Sequence, residues 1–116
     1  MGTMRIDAYR FGHLVVDGQS YDQDAIILPD RVLAGWRRKE GHALHREDLE
    51  AVFEARPEVL IVGQGAYARI RVTAEASQAL ESAGIEVIAQ PTFQACQTYN
   101  RLRLQKSTAA ALHLTC

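Results

Sequence analysis

The chain has 116 residues and a net charge of −1, from 13 basic and 14 acidic side chains. This length fits one domain, and so even a balance excludes a global field that would draw in nucleic acid or an anionic membrane. A composition of 47% hydrophobic and 23% charged residues excludes a disordered or low-complexity chain, and no apolar run approaches the roughly 18 residues of a spanning helix.

Met1-Gly2-Thr3 reads as a short remnant ahead of Met4, with no apolar signal segment. The first third is strand-like. Ile6, Ala8 and Phe11 precede His13-Leu14-Val15-Val16, which runs into Asp17-Gly18, the strongest short hairpin signal. Tyr21 and Ala25-Ile26-Ile27-Leu28 continue an antiparallel pattern up to Pro29, and Val32, Leu33 and Trp36 add one more extended segment. These segments together read as an N-terminal β-meander.

Near residue 45 the period changes. Leu49, Val52 and Phe53 recur at i, i+3 and i+4 among acids, as in an amphipathic helix, and Pro57 closes it. Val59-Leu60-Ile61-Val62 is apolar without alternation, as in a strand covered on both faces. Thr73 caps a second helix with Ala76, Ala79, Leu80 and Ala83 inward and Gly84 as its stop, and Ile85–Ala89 is the next strand. The result is a right-handed β-α-β unit with parallel strands. A third helix begins at Thr92, with Ala95, Cys96, Tyr99 and Leu102 on its apolar stripe. Residues 109–114 form a final strand, and the short turn before it predicts an antiparallel orientation to the two parallel strands.

The stretch Val62-Gly63-Gln64-Gly65-Ala66-Tyr67-Ala68-Arg69 fits a G-x-G-x-x-A pattern after a buried strand. Dinucleotide binding requires the glycines to open directly into a helix, whose N-terminus holds the pyrophosphate. Here Ile70-Arg71-Val72 is extended and the helix cap is Thr73, so neither NAD nor flavin, nor any other cofactor, is expected. The glycines then serve a tight turn, or a looser anion site built from loop amides and an arginine.

His42 and His45 lack the further ligands of a structural metal site, so no metal is expected. His13 and His113 read as an exposed strand residue and a sheet-surface residue. Cys96 lies one turn into the third helix, where a dipole lowers a thiol pKa, but its place on the apolar stripe makes it a small core residue. Two cysteines, Cys96 and Cys116, make no disulfide framework and imply a reduced compartment, taken as cytoplasmic. No nucleophile elbow is present, so no catalytic residues are assigned. Trp36-Arg37-Arg38-Lys39 is too small for a nucleic-acid face and reads as a solvated edge or a protein contact.

The second half carries a resemblance. Val62, Gly63 and Gly65, then Gly84, Ile85 and Val87, then Thr92, Ala95, Cys96, Thr98, Tyr99 and Asn100 resemble the pattern of the adipogenesis-associated Mth-like domain family. That family includes a mitochondrial complex I assembly factor. The hairpin, the Pro29 region, Trp36 and the Leu44-to-Leu49 helix start are similar too, so the resemblance spans nearly the whole chain as a single Mth-like domain, residues 1–116. Pro91, Phe93, Gln94 and Lys106-Ser107 depart from the family pattern. The resemblance implies a three-layer β+α/β/α fold around a mixed central sheet and carries over no catalytic residues.

Two functions follow as expectations. The first is a non-catalytic protein-interaction or assembly factor with protein partners, similar to respiratory complex I assembly factors. The second is a small-anion-binding protein or enzyme using the crevice between the Gly63–Arg69 loop and the Thr92 helix start, with Gly63, Gln64, Gly65, Arg69 and Thr92 as its ligand-binding residues. Neither involves nucleic acid or membrane insertion.

Overall fold

A five-stranded mixed sheet forms the middle layer of the computed structural model, which describes residues 4–116; the reading of residues 1–3 as a remnant lies outside them. Its strand order is β5 (Arg31–Ala34), β4 (Ala25–Leu28), β10 (Thr108–His113), β7 (Val59–Gln64) and β9 (Glu86–Gln90). On one face lie helix α3 (Thr92–Leu102) and a separate three-stranded sheet of β1 (Ile6–Arg10), β2 (His13–Val16) and β3 (Gln19–Tyr21). The other face is covered by a 3₁₀ turn over Arg46–Leu49, α1 (Glu50–Ala55) and α2 (Ala74–Ser82). The two-residue strands β6 (Ala43–Leu44) and β8 (Arg71–Val72) pair with each other. This is the three-layer β+α/β/α arrangement with a mixed sheet.

Local chemistry sets most of these elements. Asp17 and Gly18 have φ of 49° and 80°, as a two-residue primed turn between β2 and β3 requires. Thr73 caps α2 through Ala76 N–H donating to Thr73 Oγ1 at 3.1 Å. Arg56, at φ 51°, ends α1 one residue before Pro57. Along α2, Ala76 and Leu80 are buried and Ala79 half-buried, whereas Ala83 is exposed at the helix end rather than inward.

Two expectations change. The opening strands do not make one meander: β1–β3 form their own sheet, and the β4–β5 hairpin joins the central one, with Trp36 beyond the end of β5. Strand β10 is parallel to β7, not antiparallel, and lies between β7 and antiparallel β4. The cause is the route of α3. It carries the chain from the carboxyl end of the edge strand β9 back along the sheet, so that β10 starts level with β7, where Glu58 and Val59 N–H both donate to Ser107 O. A short turn after a full-length crossover helix therefore yields a parallel strand.

All six residues of β10 are buried, and Ala109, Ala110 and Ala111 keep both faces thin where the outer layers approach. The face toward α3 and β1–β3 packs Ile27, Val59, Ile61, Cys96, Tyr99 and Leu112; the opposite face packs Leu28, Leu49, Val52, Leu60, Val62 and Leu80. Helix α3 also holds β1 by polar contacts. Asn100 Oδ1 accepts from Ile6 N–H at 2.9 Å, Asn100 Nδ2 donates to Ile6 O at 2.7 Å, and Tyr99 OH donates to Met4 O at 2.9 Å.

Tyr99→Ala removes a fully buried ring and should cost about 3–5 kcal/mol in chemical denaturation. Asn100→Ala, which leaves two backbone groups of Ile6 unmatched, should cost about 1–3 kcal/mol. Burial pushes the Cys96 thiol up to about 12, so in the native protein a thiol reagent should modify exposed Cys116 at once and Cys96 only as fast as the chain opens. Rapid double labelling in mass spectrometry would contradict that.

Candidate functional site

Strands β10, β7 and β9 are mutually parallel where they pair, so their carboxyl ends form one edge of the sheet, where α/β folds place ligands. The structure brings Gly63, Gln64 and Gly65 at the end of β7 against Thr92 at the start of α3. Thr92 Oγ1 accepts from Gly65 N–H at 2.8 Å and donates to His113 O at 2.6 Å, while Thr92 N–H donates to Gly65 O at 3.1 Å. A single buried hydroxyl thus joins β7, α3 and β10.

The two glycines serve different needs. Gly65 has φ +95° and lies against His113, whose Cδ2 would be 2.8 Å from an added Cβ. Gly63 needs no positive φ; a Cβ there would lie 2.9 Å from Leu112 Cδ2 and 3.0 Å from Thr92 Oγ1, so its role is close approach. The loop then closes on itself. Gln64 Nε2 donates to Ile70 O and Ile70 N–H to Gln64 O, Ala66 N–H donates to Thr115 O, and Ala68 N–H to Gly65 O. No helix follows the glycines directly: β8 intervenes and α2 starts only at Ala74. Arg69 stands outside the clasp, with its guanidinium 5.9 Å from the exposed Tyr67 ring.

Thr92→Val would strand the Gly65 amide and one bond of the His113 carbonyl in a dry site. We expect a loss of about 1–3 kcal/mol in urea unfolding, with Thr92→Ser close to the parent.

Beside the clasp lies a polar cluster that the sequence did not reveal. His113 is buried, not on the sheet surface, and its Nδ1 is 2.7 Å from Asp24 Oδ2. Arg38 Nη1 donates to the same carboxylate oxygen at 2.8 Å, and Leu114 N–H to Asp24 Oδ1 at 2.8 Å. The Arg38 side chain is only 7% exposed and packs its guanidinium 4.9 Å from the Trp36 ring, so Arg38 is an internal ion-pair partner rather than part of a solvated edge. Its neighbours Arg37 and Lys39 are exposed, Lys39 Nζ lying 3.8 Å from Glu47. A cleft of about 250 Å³ lined by Gln23, Asp24, Gly35, Trp36 and Arg37 opens beside the cluster. The residues come from three distant stretches, and only the acid before β4, adjacent to an apolar run, hints at them in sequence.

Burial alone would raise the Asp24 carboxyl, but hydrogen bonds from His113, the Leu114 amide and Arg38 outweigh it and hold the group below its ordinary value. A carboxyl depressed in the folded state stabilises the fold above its unfolded pKa and loses that contribution as pH falls through the folded value. Stability should therefore decline on acidification below about pH 4. Asp24→Asn should flatten this acid limb while costing about 3–5 kcal/mol at neutral pH, because it leaves buried Arg38 without its counter-charge; an unchanged pH profile would contradict the assignment.

The remaining candidates separate. His45 Nε2 is 2.6 Å from Glu40 Oε2, and His45 N–H donates to Asp48 Oδ2 at the start of the 3₁₀ turn. Folding also brings Glu75 from α2 to His45 and Glu47, with their ligand atoms within 4.8 Å of one another, a proximity that the H-x-x-H spacing does not show. His13, half-buried, pairs with Asp22. No helix among the described residues is long and apolar enough to cross a membrane.

The comparisons with known proteins place this architecture. The family model described as a protein of unknown function (DUF498/DUF598) matches residues 6–113, and the chain belongs to that family. Among solved structures, the conserved hypothetical protein PH1505 from Pyrococcus horikoshii OT3 is 32% identical with a TM-score of 0.86, covering 97% of this chain and 100% of its own. A protein of Bartonella henselae described as an outer membrane protein is 26% identical, with a TM-score of 0.84 and coverage of 99% and 98%. A Mth938-like domain of Bordetella pertussis, at 20% identity, TM-score 0.72 and coverage of 96% and 85%, shares the fold. No curated protein matches the chain. The Mth-like resemblance is thus confirmed.

Proposed function

We propose that this domain is a non-catalytic protein-interaction module, acting as an assembly factor in the manner of the respiratory complex I assembly factor of the family it resembles. One observation carries the reading: two large aromatic side chains, Tyr67 at 69% and Phe93 at 60% exposure, flank a clasp whose own polar groups are turned inward. Tyr67 is two residues beyond Gly65 and Phe93 one beyond Thr92, so both ride on backbone tied to the sheet edge. Rigidly mounted exposed aromatics are the side chains that anchor protein interfaces. Arg69 beside Tyr67 adds a cation, so the matching partner surface is an apolar segment bearing an acid. A reduced, cytoplasmic setting suits the two unpaired cysteines.

The second reading, a small-anion site at the same edge formed by Gly63, Gln64, Gly65, Arg69 and Thr92, has weaker support. The Thr92 hydroxyl and the amides of Gly65, Ala66, Ala68 and Ile70 already have internal partners, which leaves Arg69 as the main cationic contact among these five.

Affinity purification of the parent and of Tyr67→Ala/Phe93→Ala, scored for respiratory-complex subunits, tests the proposal. The double variant should lose the captured subunits while unfolding within about 0.5 kcal/mol of the parent, as for exposed positions in general. Equal capture by both proteins would refute the docking edge. A thermal shift with phosphate or a dicarboxylate that Arg69→Ala abolishes would favour the anion reading instead.

A further inference from the structure

The central sheet ends at β9, a strand with a charge, Glu86, at its start and Pro91 just beyond its end, but with no charge, proline or bulge between them. In a strand, successive residues turn their backbone groups to opposite sides. Glu86 N–H donates to Glu58 O on the β7 side, so Glu86, Ile88 and Gln90 bond inward, and Val87 and Ala89 present their N–H and C=O groups away from the sheet. Protected edges carry a charge, a proline or a bulge. Both edge strands begin with a charge, Arg31 in β5 and Glu86 in β9, but the outward rungs of β9 are Val and Ala, and its register against β7 runs unbroken from Val59↔Glu86 to Gly63↔Gln90. Ala89 is exposed.

We propose that β9 pairs antiparallel with β9 of a second copy of this chain, giving a two-fold dimer with a continuous ten-stranded sheet. The sequence of the strand is self-complementary in one register. With Ile88 opposite Ile88 on the dyad, all five residues pair, Val87 and Ala89 of each chain face each other across hydrogen-bonded rungs, and Glu86 lies opposite Gln90. No like charges meet, and Lys106 Nζ, 3.9 Å from Glu86 Oε1, already offsets that acid. Moving the register by two residues either way leaves part of the strand unpaired.

The neighbouring helix supports the same partner. A cleft of about 590 Å³ runs between α2 and β9, and its helical wall is Ala74, Ser77, Gln78 and Glu81. In such a dimer both α2 helices lie on the same face beside the joined strands, and the short exposed side chains of Ala74 and Ser77 leave room for them to approach. Antiparallel helices also set the two Glu81 side chains at opposite ends. A five-residue strand pair alone is small for a stable interface, so the dimer would draw its remaining area from the facing α2 surfaces. This dimer uses neither Tyr67, Arg69 nor Phe93, so its failure and that of the docking edge are separable.

Analytical ultracentrifugation of the full chain from about 1 µM to 1 mM tests the pairing. We expect a reversible monomer–dimer equilibrium that Ala89→Lys weakens at least about tenfold, as an edge lysine blocks strand addition, with the thermal midpoint unchanged when measured at a concentration where both proteins are monomeric. A second measurement reads the register. In a Glu86→Cys/Gln90→Cys variant carrying Cys116→Ser, the introduced thiols lie about 13 Å apart within one strand, too far to bond to each other. Mild oxidation should join two chains at these positions, as peptide mapping would show. A monomer throughout the concentration range, or a dimer indifferent to Ala89→Lys with no cross-link, would overturn the proposal.

Discussion

Strand β10 pairs with β4 on one side and β7 on the other, and the central sheet is a single sheet only because of it. Without β10 the β4–β5 hairpin and the β7–β9 pair have no hydrogen-bonded contact, and both outer layers lose the surface they cover. Its position between the layers explains its composition. Larger side chains at Ala109, Ala110 and Ala111 would push α3 or α1 and α2 away from the sheet, since a close-packed interior has little room to absorb volume. The constraint is also topological. A strand from residues 108–113 must enter between segments near residues 25 and 60, and loop-closure entropy makes such long-range pairings slow to form.

The helix that delivers β10 also organises the carboxyl edge. Thr92, at its start, bonds to β7 and to β10; Thr98 Oγ1 donates to Gln90 Oε1 of β9; Asn100 clamps both backbone groups of Ile6. The residues that make the Thr92-to-Asn100 segment recognisable therefore act on the fold, each satisfying backbone or side-chain groups that three-layer packing would otherwise strand. The interaction surfaces we propose lie instead in what this scaffold displays, Tyr67 and Phe93 beside the clasp and the outward rungs of β9.

The Asp24, Arg38 and His113 cluster shows how a charged residue can be misjudged by its neighbours. Arg37 and Lys39 are solvated, and Arg38 between them is turned inward to a carboxylate held by β10. Removing charges from water is costly, and these largely shielded side chains are tolerated because each has a partner within hydrogen-bond distance. The cluster ties the loop after β5 to the end of β10, and so keeps the polar rim beside the Thr92 clasp in one arrangement.

Periodicity and local turn chemistry were enough to determine the helices near residues 49, 74 and 92, the Asp17-Gly18 hairpin, the buried β7 and the burial of Cys96 and Tyr99. These depend on interactions within a few residues, or on an apolar stripe that must face a core wherever the core lies. The proximity of Gly63–Gly65 to Thr92 followed likewise from the parallel β-α-β reading. Tertiary structure alone decided the direction and central place of β10, the division of the first strands between two sheets, the inward turn of Arg38 and His113, and the internal use of the Thr92 hydroxyl. Each of these depends on which distant segment becomes a neighbour. A short turn leaves strand direction open when a helix precedes it, and a histidine or arginine shows its partner only after the chain has brought a carboxylate to it.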